Sequence, residues 1–137
     1  MTLSPISIAL ALAAATAPAI APAAPLTIKA GESWVFEVDR GEPLRAHRVK
    51  SSVKPGANQI KATVISTMGT TMTMSNNSSL SYTFRAELIG AAKSGSAKAR
   101  TCTLPPGALP VLEYWPVKSA GVRVSAFKAT SADGNCP

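Results

Sequence analysis

Carboxylates are scarce in this chain, and so is most of what catalysis uses. Seven Asp and Glu stand against fourteen Lys and Arg, and histidine occurs once and cysteine twice among 137 residues. A blue-copper site, with two histidines and a cysteine, is therefore excluded. No G-x-S-x-G, H-E-x-x-H or glycine-rich phosphate loop is present. The carboxylates Glu32, Glu37, Asp39, Glu42, Glu87, Glu113 and Asp133 show neither metal-loop spacing nor a catalytic pairing. A triad built on His47 would need one of many serines, and no pattern selects one. With no activated nucleophile and no poised acid–base pair, the expectation is a protein that is not an enzyme and carries no cofactor.

Charge is missing altogether from the start of the chain, where the first ionisable side chain is Lys29. Residues 6–20 form an almost unbroken Ala/Leu/Ile run, too short and too proline-dotted to span a bilayer comfortably. Ala21-Pro22-Ala23 ahead of Ala24 fits a small-x-small cleavage site, so residues 1–23 read as a signal peptide. Met1-Thr2-Leu3-Ser4 lacks the basic residue usual at such a start, and a retained membrane anchor is the competing reading. No cysteine lies near the cut, which excludes a lipid anchor of the lipobox kind. Cleavage leaves 114 residues, 24–137, enough for one domain with a real core and without a second apolar span. The expected location is periplasmic or secreted.

Helical periodicity is also lacking; what the chain has is alternation. In residues 59–90 the even positions hold Ile60, Ala62, Val64, Met68, Met72, Met74, Leu80, Tyr82, Phe84, Ala86 and Leu88, while the odd positions are mostly polar. A period of two is that of a strand with one buried face. Ser75-Asn76-Asn77-Ser78-Ser79 is the polar break, and a turn centred on Asn77 would pair Met72 with Tyr82 across a hairpin. Residues 60–74 are too long for one strand, so the chain must bulge or turn at Gly69, and both readings fit.

The remaining strands are shorter. Residues 26–28, 33–39, 44–50, 100–104, 109–115 and 122–128 read as strands, residues 91–99 as a loop, and Trp34 as a core anchor. Ala126 is placed inward with Val122 and Val124. Some eight or nine short strands with turns about every ten residues predict an all-β fold: a single antiparallel β-sandwich. Its general shape would be immunoglobulin-like, but the cysteine–tryptophan–cysteine order of true immunoglobulin domains is absent, since Trp34 precedes both cysteines.

Three features are candidates for function. Cys102 and Cys136 are expected to form a disulfide, which over a closed loop of 35 residues stabilises by roughly 3–4 kcal/mol in the chain-entropy model. Met68, Met72 and Met74 are soft ligands suited to Cu(I), giving an alternative function as a periplasmic copper chaperone; the plainer reading is that they fill the core. Arg45, His47, Arg48 and Lys50 make a basic cluster on a chain of net charge +7 and pI ≈ 9.9. Such a cluster suits an anionic envelope surface, or equally the charged edge strand that prevents edge-to-edge aggregation. The expectation is a non-enzymatic exported domain acting by binding or structural support, with an anionic envelope surface or another envelope protein as partner. Nucleic acid is excluded by export.

Overall fold

The computed structural model describes residues 21–91, 95–107 and 109–131. All but the last three residues of the expected signal peptide fall outside this range. The chain forms β1 (Leu26–Lys29), β2 (Ser33–Asp39), β3 (Glu42–Val49), β4 (Ile60–Ser66), β5 (Thr70–Asn76), β6 (Ser81–Ile89), β7 (Ser96–Ala99), β8 (Val111–Trp115) and β9 (Gly121–Thr130). These make two antiparallel sheets, ordered β1-β9-β6-β7 and β3-β2-β4-β5-β8, packed into the expected sandwich.

The period-two patterns explain the packing. Inward residues of the two sheets, among them Ile28, Phe36, Ile60, Ala62, Val64, Met72, Met74, Ala86, Leu88, Val122 and Val124, close one apolar core. At its centre the Phe127 ring meets Phe36 at 5.5 Å, Phe84 at 5.4 Å and Tyr82 at 6.0 Å between centroids. Phe127 reaches this position through a bulge. Against β6, Arg85 pairs with Ser125 and Thr83 with Lys128, so β9 carries an extra residue there. Ala126 takes a left-handed φ of 51° and is exposed, contrary to its expected inward place, and the reversed phase turns Phe127 inward. The bulged backbone bonds to the other sheet: Phe127 N donates to Gly41 O at 2.7 Å and Ala126 N to Glu42 Oε1 at 3.3 Å. With Ala24 N donating to Pro43 O at 3.1 Å, these bonds tie the two sheets together along the β1–β3 flank.

In residues 59–90 the inward positions are right except at Met68 and Leu80, but the pairing is not. β5 pairs with β4 and β8, and β6 with β7 and β9, so there is no hairpin between β5 and β6 and no Met72–Tyr82 pair. Met72 lies opposite Val64 and Glu113. The polar break carries the chain from one sheet to the other, a crossing organised by Asn76, which is 1% exposed. Its Nδ2 donates to Leu80 O at 2.7 Å, and its Oδ1 accepts from Ser78 N at 3.0 Å and Ser78 Oγ at 2.7 Å. Alternation persists because both sheets face the same interior. Leu80, on the crossing, is exposed.

Gly69 resolves as a turn. β4 and β5 form a hairpin closed by the Ser66–Thr70 pair, with Thr67 N donating to Gly69 O at 3.0 Å. A Cβ on Gly69 would stand 2.7 Å from Trp115 O and 2.8 Å from Tyr114 Oη, so only glycine fits beside β8. Met68 sits at the tip, 89% exposed rather than inward.

Three further expectations are corrected. Trp34 is only partly buried, its Nε1 donating to Glu32 Oε2 at 2.7 Å; Trp115 is the tryptophan of the core. Residues 91–99 contain β7 rather than loop alone. Residues 100–104 are not a strand, because side chains of β8 take over their backbone. Leu104 exchanges backbone bonds with Tyr82, whereas Arg100 O accepts from Trp115 Nε1 at 2.8 Å and Cys102 N donates to Glu113 Oε1 at 2.6 Å.

Candidate functional site

The basic cluster of the sequence lies on β3, an outermost strand of the five-stranded sheet. A bulge there, with Arg45 at φ 52°, puts Leu44 opposite Glu37 and His47 opposite Val35. Arg45 Nη1 meets Glu37 Oε2 at 2.7 Å, and Arg48 Nη1 meets Glu32 Oε1 at 3.2 Å on the other side of the strand. Glu32 also accepts from the Trp34 indole, and this bond leads the causes that hold its carboxyl below the usual range, with Lys29 N and Arg48 adding to it. His47 is exposed, its Nδ1 3.1 Å from Arg45 O, and Lys50 is exposed past the strand end. Both arginines of the cluster therefore have a carboxylate partner, which reduces the field it can project.

The methionines do not converge. Met72 and Met74 are fully buried on β5 while Met68 stands in solvent at the hairpin tip. Among the described residues no group of three His, Cys, Asp or Glu side chains could hold a metal ion. Cys102 lies at the β7–β8 flank, and Cys136 is outside the described residues. Glu113, in the same flank, is 6% exposed, and burial pushes its carboxyl pKa up against the lowering effect of the Cys102 N–H.

The strongest electrostatic feature is one the linear sequence does not display. In the four-stranded sheet the inward set is apolar, so the alternate residues face out, and directly paired residues share a face. Register then assembles the outer face. Lys98, Glu87, Arg123 and Thr27 form one row across β7, β6, β9 and β1. Arg85 with Ser125 and Lys128 with Thr83 follow on one side, and Lys29 with Gly121 and Ile89 on the other. Lys29, Arg85, Lys98 and Lys128 are exposed and Arg123 is half-buried. Among the described residues, five cations thus share a sheet face of roughly 15 by 20 Å with a single carboxylate, Glu87, whose Oε2 is 3.9 Å from Arg123 Nη1.

At that length the Glu87–Arg123 pair is loose, both side chains are partly exposed, and the pair neutralises little of the face. Arg123 is held in place by its Nε donating to Thr27 Oγ1 at 3.3 Å. The cations come from four strands separated in sequence by up to 99 positions, from Lys29 to Lys128, so no window of the chain shows the cluster. The available signal was the polar side of each strand: T27 and K29, T83, R85 and E87, K98, R123 and K128.

The outer face of the five-stranded sheet has a different character. Thr63 lies beside Thr73, which lies beside Leu112, and Ile65 beside Thr71, which lies beside Tyr114. Ile65, Leu112 and Tyr114 are exposed there. Comparison with known proteins adds nothing to this picture: no protein-family model, no curated protein and no solved structure matches the chain.

Proposed function

We propose that this chain is a non-enzymatic exported binding domain that docks on an anionic envelope surface through the outer face of its four-stranded sheet. The observation that carries this reading is the ratio, among the described residues, of five cations to one carboxylate on that face. Spacings between neighbouring cations on such a face are comparable to the screening length of about 8 Å at physiological ionic strength, so they act on a charged surface together. The single histidine, held by a backbone carbonyl on the opposite sheet, supports the non-enzymatic half of the reading.

The test is co-sedimentation of the chain lacking residues 1–23 with vesicles of phosphatidylcholine alone or mixed with phosphatidylglycerol. Binding is expected only with the anionic lipid, and is lost by about 0.5 M salt, where screening is nearly complete. Equal binding to both vesicles, or binding insensitive to salt, refutes it.

A disulfide between Cys102 and Cys136 belongs to the same reading of an exported domain. Its support is topological: Tyr82 pairs with Ala129 near the end of β9 and with Leu104, two residues from Cys102. The end of β9 and Leu104 thus flank β6, two strand spacings (roughly 10 Å) apart. A thiol assay on the denatured, unreduced protein is expected to find no free thiol.

A further inference from the structure

At the flank where β7 and β8 end the two sheets, the described residues leave an indentation in the surface. β7 contributes only Ala97 and Ala99 to the inner side, opposite Leu88 and Ala86 of β6, and these small residues face the large Trp115 of β8 across the sandwich. The result is an open cleft of about 520 Å³, bounded by Leu88, Ala97, Ala99, Trp115 and Val117. That volume lies within the roughly 300–1,000 Å³ of small-molecule sites. The polar groups of its wall are already engaged: the Trp115 indole N–H donates to Arg100 O, and the Glu113 carboxylate oxygen accepts from Cys102 N. The wall therefore offers apolar surface with few polar demands. Two exposed cations, Lys98 and Arg100, also line the cleft, and Lys98 belongs at the same time to the cationic face.

An apolar cleft with cations at its border is complementary to a chain that is apolar along its length and anionic at one end. We propose that the cleft binds a fatty acid, with its alkyl chain along Leu88, Ala97, Ala99, Trp115 and Val117 and its carboxylate against Lys98 and Arg100. The site adjoins the docking face, with which it shares Lys98, and a dissolved fatty acid would occupy it whether or not that face meets a membrane.

Laurate and dodecanol, each kept below its aggregation concentration, are the probes, followed by calorimetry and by tryptophan emission, since Trp115 lines the cleft. Laurate is expected to bind one per chain with Kd of about 10 µM. The double variant Lys98→Gln/Arg100→Gln weakens laurate about tenfold, the scale of two exposed ion pairs, and leaves dodecanol unchanged. Ala99→Leu fills the cleft and abolishes both. Should that variant not fold, a nitroxide-labelled stearate added to the wild-type chain is expected to broaden the amide signals of Leu88, Ala97, Ala99 and Trp115. Absence of saturable binding, laurate binding that survives in a folded Ala99→Leu variant, or broadening elsewhere overturns the proposal. So does a peptide of alternating valine and glutamate that occupies the same amides and excludes laurate, because the occupant is then an extended segment pairing with a sheet edge.

Discussion

Replacing Glu113 by glutamine keeps an oxygen for the Cys102 N–H and removes the ionisable group. Two effects are thereby separated. The hydrogen bond, 2.6 Å long in the native chain, ties residues 100–102 to the opposite sheet. Glu113→Ala leaves the amide without its acceptor and is expected to cost about 1–3 kcal/mol at any pH. Glu113→Gln is expected to retain most of that. The charge acts differently. Burial raises the folded-state pKa of Glu113 above its ordinary value of 4.5. Between the unfolded and folded values the native chain holds a proton that the unfolded chain has released, so stability falls as pH rises through this window. Below 4.5 the wild type has the full contribution, and above the raised pKa it has lost it. Urea midpoints of wild type and Glu113→Gln, taken at pH 4, 6 and 8, should therefore differ progressively in favour of the glutamine variant as pH rises. The comparison cancels other carboxylates, Glu32 among them, whose depressed pKa has the opposite slope. Parallel midpoints across the series would show that Glu113 is not desolvated and that the flank is wetter than described.

Phe127→Ala removes the ring on which Phe36, Tyr82 and Phe84 converge and should cost about 3–5 kcal/mol by urea denaturation; a cost under 1 kcal/mol would mean that the bulge does not deliver this ring to the core. Gly69→Ala should destabilise by about 1–3 kcal/mol, because its Cβ would meet the Trp115 carbonyl; a gain in stability, the usual result of replacing a flexible glycine, would contradict the close approach. On anionic vesicles, the triple variant Lys29→Gln/Arg85→Gln/Lys128→Gln should lose about 100-fold in affinity. The double variant Arg45→Gln/Arg48→Gln, whose arginines already have carboxylate partners, should stay within about threefold. The reverse order would return the binding surface to β3.

The inward positions were legible wherever a strand ran without interruption, as in β4, β5 and β6, because burial on one side leaves a period of two. Pairing was not legible. Alternation reports which side of a strand faces the core, and residues 75–79 carry the chain from one sheet to the other without breaking it. The bulges at Arg45 and Ala126 were equally hidden: neither is a glycine, and each makes contacts outside its own strand, Arg45 with Glu37 of the neighbouring strand and the β9 bulge with Gly41 and Glu42, more than eighty positions away. Residues 100–104 looked like a strand on composition, and only the positions of Glu113 and Trp115 across the flank explain why the backbone of Arg100 and Cys102 bonds to β8 side chains while Leu104 bridges to β6. For the candidate site, the sequence displayed the basic residues that adjoin along the chain and not those that strand order brings together. Arg45, His47, Arg48 and Lys50 are neighbours along the chain, whereas Lys29, Arg85, Lys98, Arg123 and Lys128 become neighbours only through strand order.

A slab with unlike sides has an orientation once one side is engaged. If the charged sheet lies down on a surface, the sheet bearing Thr63, Thr71 and Thr73 beside Ile65, Leu112 and Tyr114 is turned outward across the thickness of two sheets, about 10 Å away. Docking would then also be display. A layer of such molecules would coat a negative surface with hydroxyl, methyl and phenol groups bordered by Lys61 and the paired charges of β3, converting a repellent polyelectrolyte boundary into a mixed and moderately sticky one.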